Sequence, residues 1–181
     1  PRLAEVAECD FRLEDLLEAG RLAKCDLVTE MVKEFTDLQG IVGGLYARAE
    51  GHSETIWRAI YEQYMPKAAN SPSPSTRAGA LLSLADRLDT VCGCFSVGLT
   101  PSGSRDPFGV RRQGNGLLKI LLDHEIDIPI DTLIEWSLSA HGVASVDVAR
   151  ELKKFAEGRL RFLFEEEGYS YDCINAALSV G

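Results

Sequence analysis

Histidine is the side chain that proteins most often use in acid–base and metal chemistry. The chain has three histidines, His52, His124 and His141. None lies at the spacing of a metal-binding pair, and none is followed by aspartate. We expect His52 in a turn and the other two at helix ends. A nucleophile–base pair cannot be assembled from histidines placed in this way, so the sequence predicts no catalytic residue.

Two aspartates, Asp86 and Asp89, are three residues apart and therefore share one face of a helix. Such a pair can bind a cation, accept hydrogen bonds from a neighbouring helix, or pair with basic side chains. Asp86 lies within the apolar stripe of its helix, so we expect it to be at least partly buried. A buried carboxylate needs a partner, and the best candidates are Lys24 and the backbone near Asp26.

Positive charge is concentrated in one part of an acidic chain. The net charge is −9 over 181 residues, and the stretch 66–120 is positive through Arg105, Arg111, Arg112 and Lys119. Arg105 precedes a helix start, where backbone amides also favour an anion, so these residues could hold a phosphate. Alternatively, Arg111 and Arg112 pair with acidic side chains of the flanking segments. The overall acidity argues against a free-standing nucleic-acid binder of the basic kind.

The cysteines form an odd and scattered set rather than a disulfide framework. Cys92 and Cys94 have no second pair that would complete a zinc site. We therefore predict reduced and mostly buried thiols for the five positions, Cys9, Cys25, Cys92, Cys94 and Cys173.

Helical periodicity recurs along the chain and strand-like alternation is absent, which predicts an all-α fold. The apolar positions from Leu22 to Phe35 predict one helix, and those from Arg77 to about Leu99 predict a long one. Asp106 followed by Pro107 is a typical helix start. Ser145 can cap a long amphipathic helix that ends before Gly168.

Three glycines, Gly40, Gly43 and Gly44, follow a helical pattern. We interpret them as a turn and a close helix contact rather than a nucleotide loop, because no phosphate-binding G-x-x-x-x-G-K-[ST] motif is present. Ser53 can cap the helix after them. No apolar run is long enough to span a membrane. Because the chain begins at Pro1 without a signal segment and ends at Gly181 after an apolar pattern, we expect a piece of a longer polypeptide.

Four stretches together resemble the β subunit of the bacterial-type, two-subunit glycyl-tRNA synthetase. The resemblance is dense over about residues 20–122 and is carried by Ala23–Phe35 with Leu38–Ile41, Ile60–Pro66, Ala85–Thr90, and Gly98–Phe108 with Arg111-Arg112.

This resemblance implies a role in an aminoacyl-tRNA synthetase, a ligase of the cytoplasm that attaches glycine to tRNA. The implied partners are tRNA(Gly), the α subunit and the rest of the β subunit, with no DNA and no membrane. ATP and magnesium would be used at the α subunit, so no cofactor is expected in this chain. A purely structural scaffold that docks other synthetase domains is the alternative.

The resemblance also implies a helical domain of the HD superfamily over residues 1–125, followed by a helical linker or body segment over 126–181. HD hydrolases hold a metal with a histidine, a His-Asp pair and a distant aspartate. The corresponding positions here are Cys25 and Asp26, Gln63, and Asp86. With two nitrogen ligands replaced, we expect no metal, no phosphohydrolase activity and a structural role for these residues.

For the basic residues, the resemblance implies contact with tRNA phosphates through Arg105, Arg111, Arg112 and Lys119. Such contacts orient RNA without reading its sequence. The alternative use of Arg111 and Arg112 is to pack the loop from Ser102 to Phe108 onto its own helix. The sequence leaves the two uses open.

Overall fold

A computed structural model describes residues 1–6, 11–103, 105–106 and 108–179. These residues form helices and connecting turns without a β-strand, which confirms the all-α class; Ser102 and Arg105 form an isolated backbone bridge. Cys9, Asp10 and Pro107 lie outside the described residues. The helices are α1 (Arg2–Val6), α2 (Leu13–Leu22), α3 (Glu30–Glu34), α4 (Ile41–Ala49), α5 (Glu54–Glu62), α6 (Arg77–Ser96), α7 (Val110–Asp123), α8 (Ile130–Ala140), α9 (Val146–Glu166) and α10 (Tyr171–Ser179).

The chain divides into two compact units that alternate along the sequence. The first unit comprises residues 1–86 and 120–127, and the second comprises residues 87–119 and 128–181. The domain boundary expected near residue 125 stays a prediction. The HD arrangement of the helices also stays a prediction. Among the described residues, no helix has the length and hydropathy needed to cross a membrane.

Small residues bring α2, α4 and α5 together in the core of the first unit. Ala19, Ala47 and Ala59 are buried there around Ile60. A Cβ atom on Gly44 would lie 2.6 Å from the Cβ of Tyr61, which is closer than real Cβ contacts. The close helix contact predicted for the glycine segment is therefore confirmed, because only glycine leaves room for the facing helix.

The predicted helix from Leu22 to Phe35 is wrong. Lys24 has a left-handed backbone with φ 68°, so the helical path breaks there. A 3₁₀ turn over Cys25–Val28 follows, and Thr29 caps the short α3 by accepting from the amide of Val32 at 3.3 Å. The apolar pattern does not become a buried helix face, since Val28 is 77% exposed and Phe35 60% exposed.

The long helices agree with the sequence more closely. The helix predicted from Arg77 to Leu99 is α6. Ser145 caps α9 as predicted, and its side chain accepts from the amide of Val148 at 3.3 Å. Ser53 occupies the cap position of α5, but its hydroxyl donates to Asp15 Oδ2 at 3.2 Å instead of accepting from the helix. The cap geometry predicted for Ser53 is therefore wrong.

The core of the second unit contains aromatic contacts as well as aliphatic side chains. The rings of Phe95 and Phe155 pack with centroids 5.2 Å apart. Arg87 is buried there and donates to Gln113 Oε1 at 2.7 Å. A Cβ atom on Gly116 would lie 2.6 Å from Arg87 Nη1, so glycine makes room for the guanidinium.

Candidate functional site

Asp26 is a buried carboxylate that is bonded to backbone amides. The 3₁₀ turn directs its side chain inward, where Oδ2 accepts from Gly40 N at 2.7 Å and Gly43 N at 3.3 Å. Gly40 presents its amide from a backbone with φ 79°, and a Cβ atom there would lie 2.7 Å from Tyr64 Cδ2. Asp26 Oδ1 is buried without a hydrogen-bond partner among the described residues.

Asp86 forms an ion pair with Lys24, the partner that the sequence suggested. The Asp86 side chain is 19% exposed, which confirms that it is at least partly buried. Lys24 lies two residues before Asp26, so the left-handed turn supplies both the cation for Asp86 and the buried carboxylate. An ammonium group therefore compensates a carboxylate that would otherwise be available to a metal ion.

Gln63 is buried just after α5, and its Nε2 donates to the carbonyl of Ile60 at 2.9 Å. Cys25 is exposed, and its thiol lies 3.8 Å from the carbonyl of Arg21. We name Lys24, Asp26, Gln63, Tyr64 and Asp86 the polar centre of the first unit.

The charges of the polar centre act on the phenol of Tyr64. Burial raises the pKa of its phenol above the usual value, and the charges of Asp26 and Asp86 act in the same direction. The Gln39 side chain and the charge of Lys24 oppose this rise in the pKa. The two carboxylates and the ammonium are thus all within electrostatic range of one phenol.

The polar centre does not fit the metal that the HD resemblance implies. Asp26 uses one oxygen on two amides, Asp86 pairs with Lys24, and Cys25 points to the exposed side. Across the described ranges, no group of three or more histidine, cysteine, aspartate or glutamate side chains could hold a metal ion. The structural role of the four HD positions, Cys25, Asp26, Gln63 and Asp86, stays a prediction.

A second buried carboxylate, Glu62, is a residue that sequence reasoning missed. It accepts from the backbone amide of Thr76 at 3.1 Å, from the Thr76 hydroxyl at 2.8 Å and from the Ser75 hydroxyl. Thr76 directly precedes α6, and helix starts have backbone amides without an acceptor inside the helix. Glu62, from an earlier part of the chain, supplies an acceptor for the Thr76 amide. A Cβ atom on Gly79 would lie 2.5 Å from Glu62 Oε2. Its sequence signal was weak: Glu62 lies within Ile60–Pro66, one of the stretches that resemble the family.

The basic residues lie around the start of α7, in the second unit. Arg111 donates from Nη2 to the carbonyl of Gly103 at 2.7 Å and lies 3.5 Å from the carbonyl of Arg105. Arg111 thus packs the preceding loop onto its own helix, as the alternative use proposed. Arg112 is exposed, and its guanidinium lies against Gly109. We name Arg105, Arg111 and Arg112 the basic end of α7.

The start of α7 is occupied by the chain's own carboxylate. Asp106 accepts from the amide of Val110 at 2.7 Å and from the amide of Arg111 at 3.0 Å. The Asp106 side chain therefore caps the helix amides, as the sequence suggested, but α7 begins at Val110 and not directly after Asp106. The expectation that these amides help to hold an external anion is wrong, because Asp106 already uses them.

The predicted pairing of Arg111 and Arg112 with acidic side chains does not occur within the described part of the chain. The structure brings Arg105, Arg111 and Arg112 together. Lys119 is partly exposed and lies eight residues after Arg111, about 12 Å further along α7.

The histidines occupy the turn and helix-end positions expected of them. His52 follows α4, His124 follows α7, and His141 is the C-cap of α8. His124 Nε2 lies 2.9 Å from the carbonyl of Pro74, and His141 Nε2 lies 3.2 Å from Asp89 Oδ1.

The described cysteines are free thiols, but the prediction that they are mostly buried is wrong. Cys92 is buried and Cys94 is intermediate, whereas Cys25 and Cys173 are exposed. Burial raises the pKa of both the Cys92 and the Cys94 thiol. A thiol with a raised pKa is a poor nucleophile at neutral pH, which excludes these two as activated cysteines.

The described residues define an all-helical protein with a buried carboxylate that is bonded to backbone amides and with exposed guanidinium groups around one helix start. A family model described as "Glycyl-tRNA synthetase beta subunit" matches residues 2–179. The chain therefore belongs to the glycyl-tRNA synthetase β subunit family, as the sequence resemblance indicated.

Individual relatives are similar over almost the whole chain. It is 42% identical over 172 residues to the glycine–tRNA ligase β subunit of Halothermothrix orenii, which covers 95% of this chain and 25% of the relative. It is 47% identical over 168 residues to that of Acidobacterium capsulatum, with 92% and 24% covered. It is 40% identical over 168 residues to that of Clostridioides difficile, with 91% and 24% covered. The chain thus spans about a quarter of the length of these curated relatives.

Proposed function

We propose that this chain acts within the β subunit of glycine–tRNA ligase and supports the ATP-dependent attachment of glycine to tRNA. Its contribution is contact with tRNA(Gly) and assembly with the α subunit and the rest of the β subunit, and it supplies no catalytic residue. ATP and magnesium are used at the α subunit, and the complex works in the cytoplasm.

The observation that carries the tRNA contact is the exposure of Arg105 and Arg112 at the basic end of α7. Neither side chain forms an ion pair with a carboxylate among the described residues, although the chain as a whole carries a net charge of −9. Unpaired guanidinium groups on an acidic protein favour a polyanion locally while the remaining surface repels it. This combination suits a weak contact that is part of a larger binding surface.

Contact with phosphate, rather than readout of bases, fits the side chains present. Arginine presents several donors in a planar fork that matches a phosphate oxygen pair. Arg111 and Lys119 contribute charge to the same helix, and Arg111 also holds the loop that carries Arg105. The expected binding is therefore sensitive to salt and tolerant of RNA sequence.

The test reverses the two exposed charges in the assembled enzyme. We expect Arg105→Glu with Arg112→Glu to weaken tRNA(Gly) binding and to lower the slope of log affinity against log salt by about two, one for each lost phosphate contact. Glycine activation with ATP, measured by pyrophosphate exchange, stays at its wild-type rate because the chain supplies no catalytic residue. Arg111 is left unchanged in this variant because its loss also releases the loop.

The matched control reverses two other exposed arginines, Arg12 and Arg21, whose side chains are each 75% exposed. Arg12→Glu with Arg21→Glu changes the net charge by the same amount in the first unit. A loss of tRNA affinity equal to that of the Arg105 and Arg112 variant would mean that only net charge matters. Unchanged tRNA affinity in the Arg105 and Arg112 variant would disprove the proposed contact.

A scaffold role without RNA contact is the second candidate, and exposed apolar side chains favour it. Val28 is 77% exposed, Phe35 60% and Met31 43%, all in the segment that follows Lys24 and Asp26. Such a cluster is typical of a surface covered by another protein segment. Val28→Glu with Phe35→Glu would then disrupt assembly of the synthetase while leaving tRNA affinity unchanged. If assembly is unaffected, the scaffold candidate is wrong.

A further inference from the structure

A fourth arginine, Arg159 on α9, lies close to the basic end of α7. A Cβ atom on Gly114 of α7 would lie 2.6 Å from Phe155 Cε1 and 3.3 Å from Arg159 Cγ. The absence of a side chain at Gly114 therefore lets α9 lie close against α7 at this point. Gly114 is three residues after Arg111, so the stem of Arg159 crosses α7 within one turn of Arg111.

Aromatic rings surround the Arg159 guanidinium. Its Cζ lies 5.5 Å from the ring centroid of Phe162 and 6.0 Å from that of Phe155. The side chain is partly exposed, so its charged end reaches solvent while its stem and rings are packed. Ring contacts of this kind restrict a long side chain and orient its planar donor group.

Two charged residues of the α7 region, Arg111 and Asp106, act on Arg159. Burial lowers the pKa of the Arg159 guanidinium, the positive charge of Arg111 lowers it further, and Asp106 opposes both effects. Arg111 and Arg159 come from different helices, so the fold brings together two like charges that are 48 positions apart in the chain.

Asp106, the carboxylate whose charge acts on Arg159, is already bonded to helix amides. Asp106 uses its two oxygens on the amides of Val110 and Arg111, at 2.7 and 3.0 Å. Arg111 directs one donor to the carbonyl of Gly103, which carries no formal charge. One carboxylate thus stands against two guanidinium groups, and an added anion would relieve their mutual repulsion.

We infer that Arg159 and Arg111 together bind one phosphate group of an RNA backbone, so that α9 extends the surface at the basic end of α7. This inference rests on the proposed function, because the ligand is the phosphate of the same tRNA. A guanidinium carries five N–H donors, so Arg111 retains donors after its bonds to the loop. Arg159 supplies a second fork, held in place by the rings of Phe155 and Phe162.

The experiment measures tRNA(Gly) binding to the assembled enzyme over a range of salt concentrations. Arg159→Gln is expected to reduce affinity about tenfold at low salt, the effect of losing a charge-assisted hydrogen bond. The slope of log affinity against log salt should fall by about one. The control is Arg150→Gln on the same helix, whose exposed side chain pairs with Asp147 at 3.0 Å. We expect the control to bind within twofold of the wild type.

A conservative variant separates charge from packing. Arg159→Lys keeps the positive charge but loses the planar fork and part of the ring contact, so it should recover most of the affinity and nearly all of the salt slope. If Arg159 only packed against α7, Arg159→Lys and Arg159→Gln would bind equally well. That result would overturn the inference even where Arg159→Gln lowers the melting temperature.

The outcome is distinguishable from failure of the proposed function. If Arg105→Glu with Arg112→Glu weakens tRNA binding while Arg159→Gln does not, the proposed function stands and the role of Arg159 is wrong. If neither variant weakens binding, both are wrong. If Arg150→Gln weakens binding as much as Arg159→Gln does, the effect is general electrostatics and the assigned phosphate site is wrong.

Discussion

The polar centre of the first unit and the basic end of α7 in the second unit use charged side chains in opposite ways. In the polar centre, Asp26 accepts from two buried amides and Asp86 pairs with Lys24. At the basic end of α7, the one capping carboxylate, Asp106, is bonded to the helix amides, and Arg105 and Arg112 remain exposed. The first region bonds its carboxylates to amides and an ammonium group of the same unit, and the second leaves guanidinium groups exposed.

The difference shows how a site can keep residue types associated with chemistry and yet serve stability. A carboxylate bonded to buried amides is costly to remove, because its loss leaves those amides without an acceptor. Exposed arginines contribute little to stability, so they are free to serve binding. Substitutions in the two regions should therefore affect different measurements.

The largest effect is expected in the polar centre, for Asp26→Ala. The variant leaves the amides of Gly40 and Gly43 without their acceptor, and the expected loss in the free energy of unfolding is about 3 kcal/mol. Urea denaturation measures this loss. Asp37→Ala, at an exposed aspartate of the same unit, should cost less than about 0.5 kcal/mol. Similar losses for both variants would remove the contrast between buried and exposed carboxylates.

A smaller effect is expected at Lys24, where the ion pair and the backbone can be separated. Lys24→Ala loses the pair with Asp86 but keeps a side chain on a backbone with φ 68°, and it should cost about 1.5 kcal/mol in unfolding free energy. Lys24→Gly also loses the pair but adopts this φ freely, so it should be about 1 kcal/mol more stable than Lys24→Ala. Equal stabilities would show that the left-handed backbone is not strained.

At the basic end of α7, the contrast is between two adjacent arginines. Arg111→Ala removes the donor to the carbonyl of Gly103, so the loop before α7 should open more often. Amide hydrogen exchange at Arg105, whose N–H donates to Ser102, should accelerate about threefold, which corresponds to the loss of one exposed hydrogen bond. Arg112→Ala should leave this exchange rate unchanged. Acceleration in both variants would indicate that Arg112 also holds the loop.

The smallest effect is expected at alkaline pH and concerns Tyr64. Its pKa is raised in the folded state, mainly by burial, so the folded chain keeps the phenol proton after the unfolded chain has lost it. The stabilisation is complete below the usual pKa of 10.0 and declines as the pH rises through the higher folded pKa. Tyr64→Phe should therefore lose less stability than the wild type between pH 9 and about pH 11. Parallel pH profiles in thermal unfolding would contradict this.

Several features of the fold could be predicted from the sequence because their signals are local. The long helices α6 and α9 follow from apolar periodicity and from Ser145 as a cap. The partner of Asp86 was narrowed to two candidates, Lys24 and the backbone near Asp26, because a buried carboxylate needs a partner, and the structure selects Lys24. Asp106 was predictable as a capping side chain because aspartate followed by proline is a typical helix start, although α7 begins only at Val110.

Other features were not predictable because distant contacts decide them. The segment from Leu22 to Phe35 has a helical pattern, yet Asp26 turns inward to the amides of Gly40 and Gly43 and breaks the helix. Glu62 accepts a hydrogen bond from the amide of Thr76, which lies 14 positions later in the chain. Arg159 carries no sequence signal, since it lies in an acidic segment and only the packing of α9 on Gly114 brings it to Arg111.

The sequence by itself determined the helical class, the family and the charges available, because these depend on residue types, local spacing and similarity to relatives. Only the tertiary structure decided which of those charges are already used. Buried carboxylates take whichever donors the packing brings to them, and that pairing depends on contacts between residues far apart in the chain. The arginines that keep free donors are therefore identified by the fold and not by their positions in the sequence.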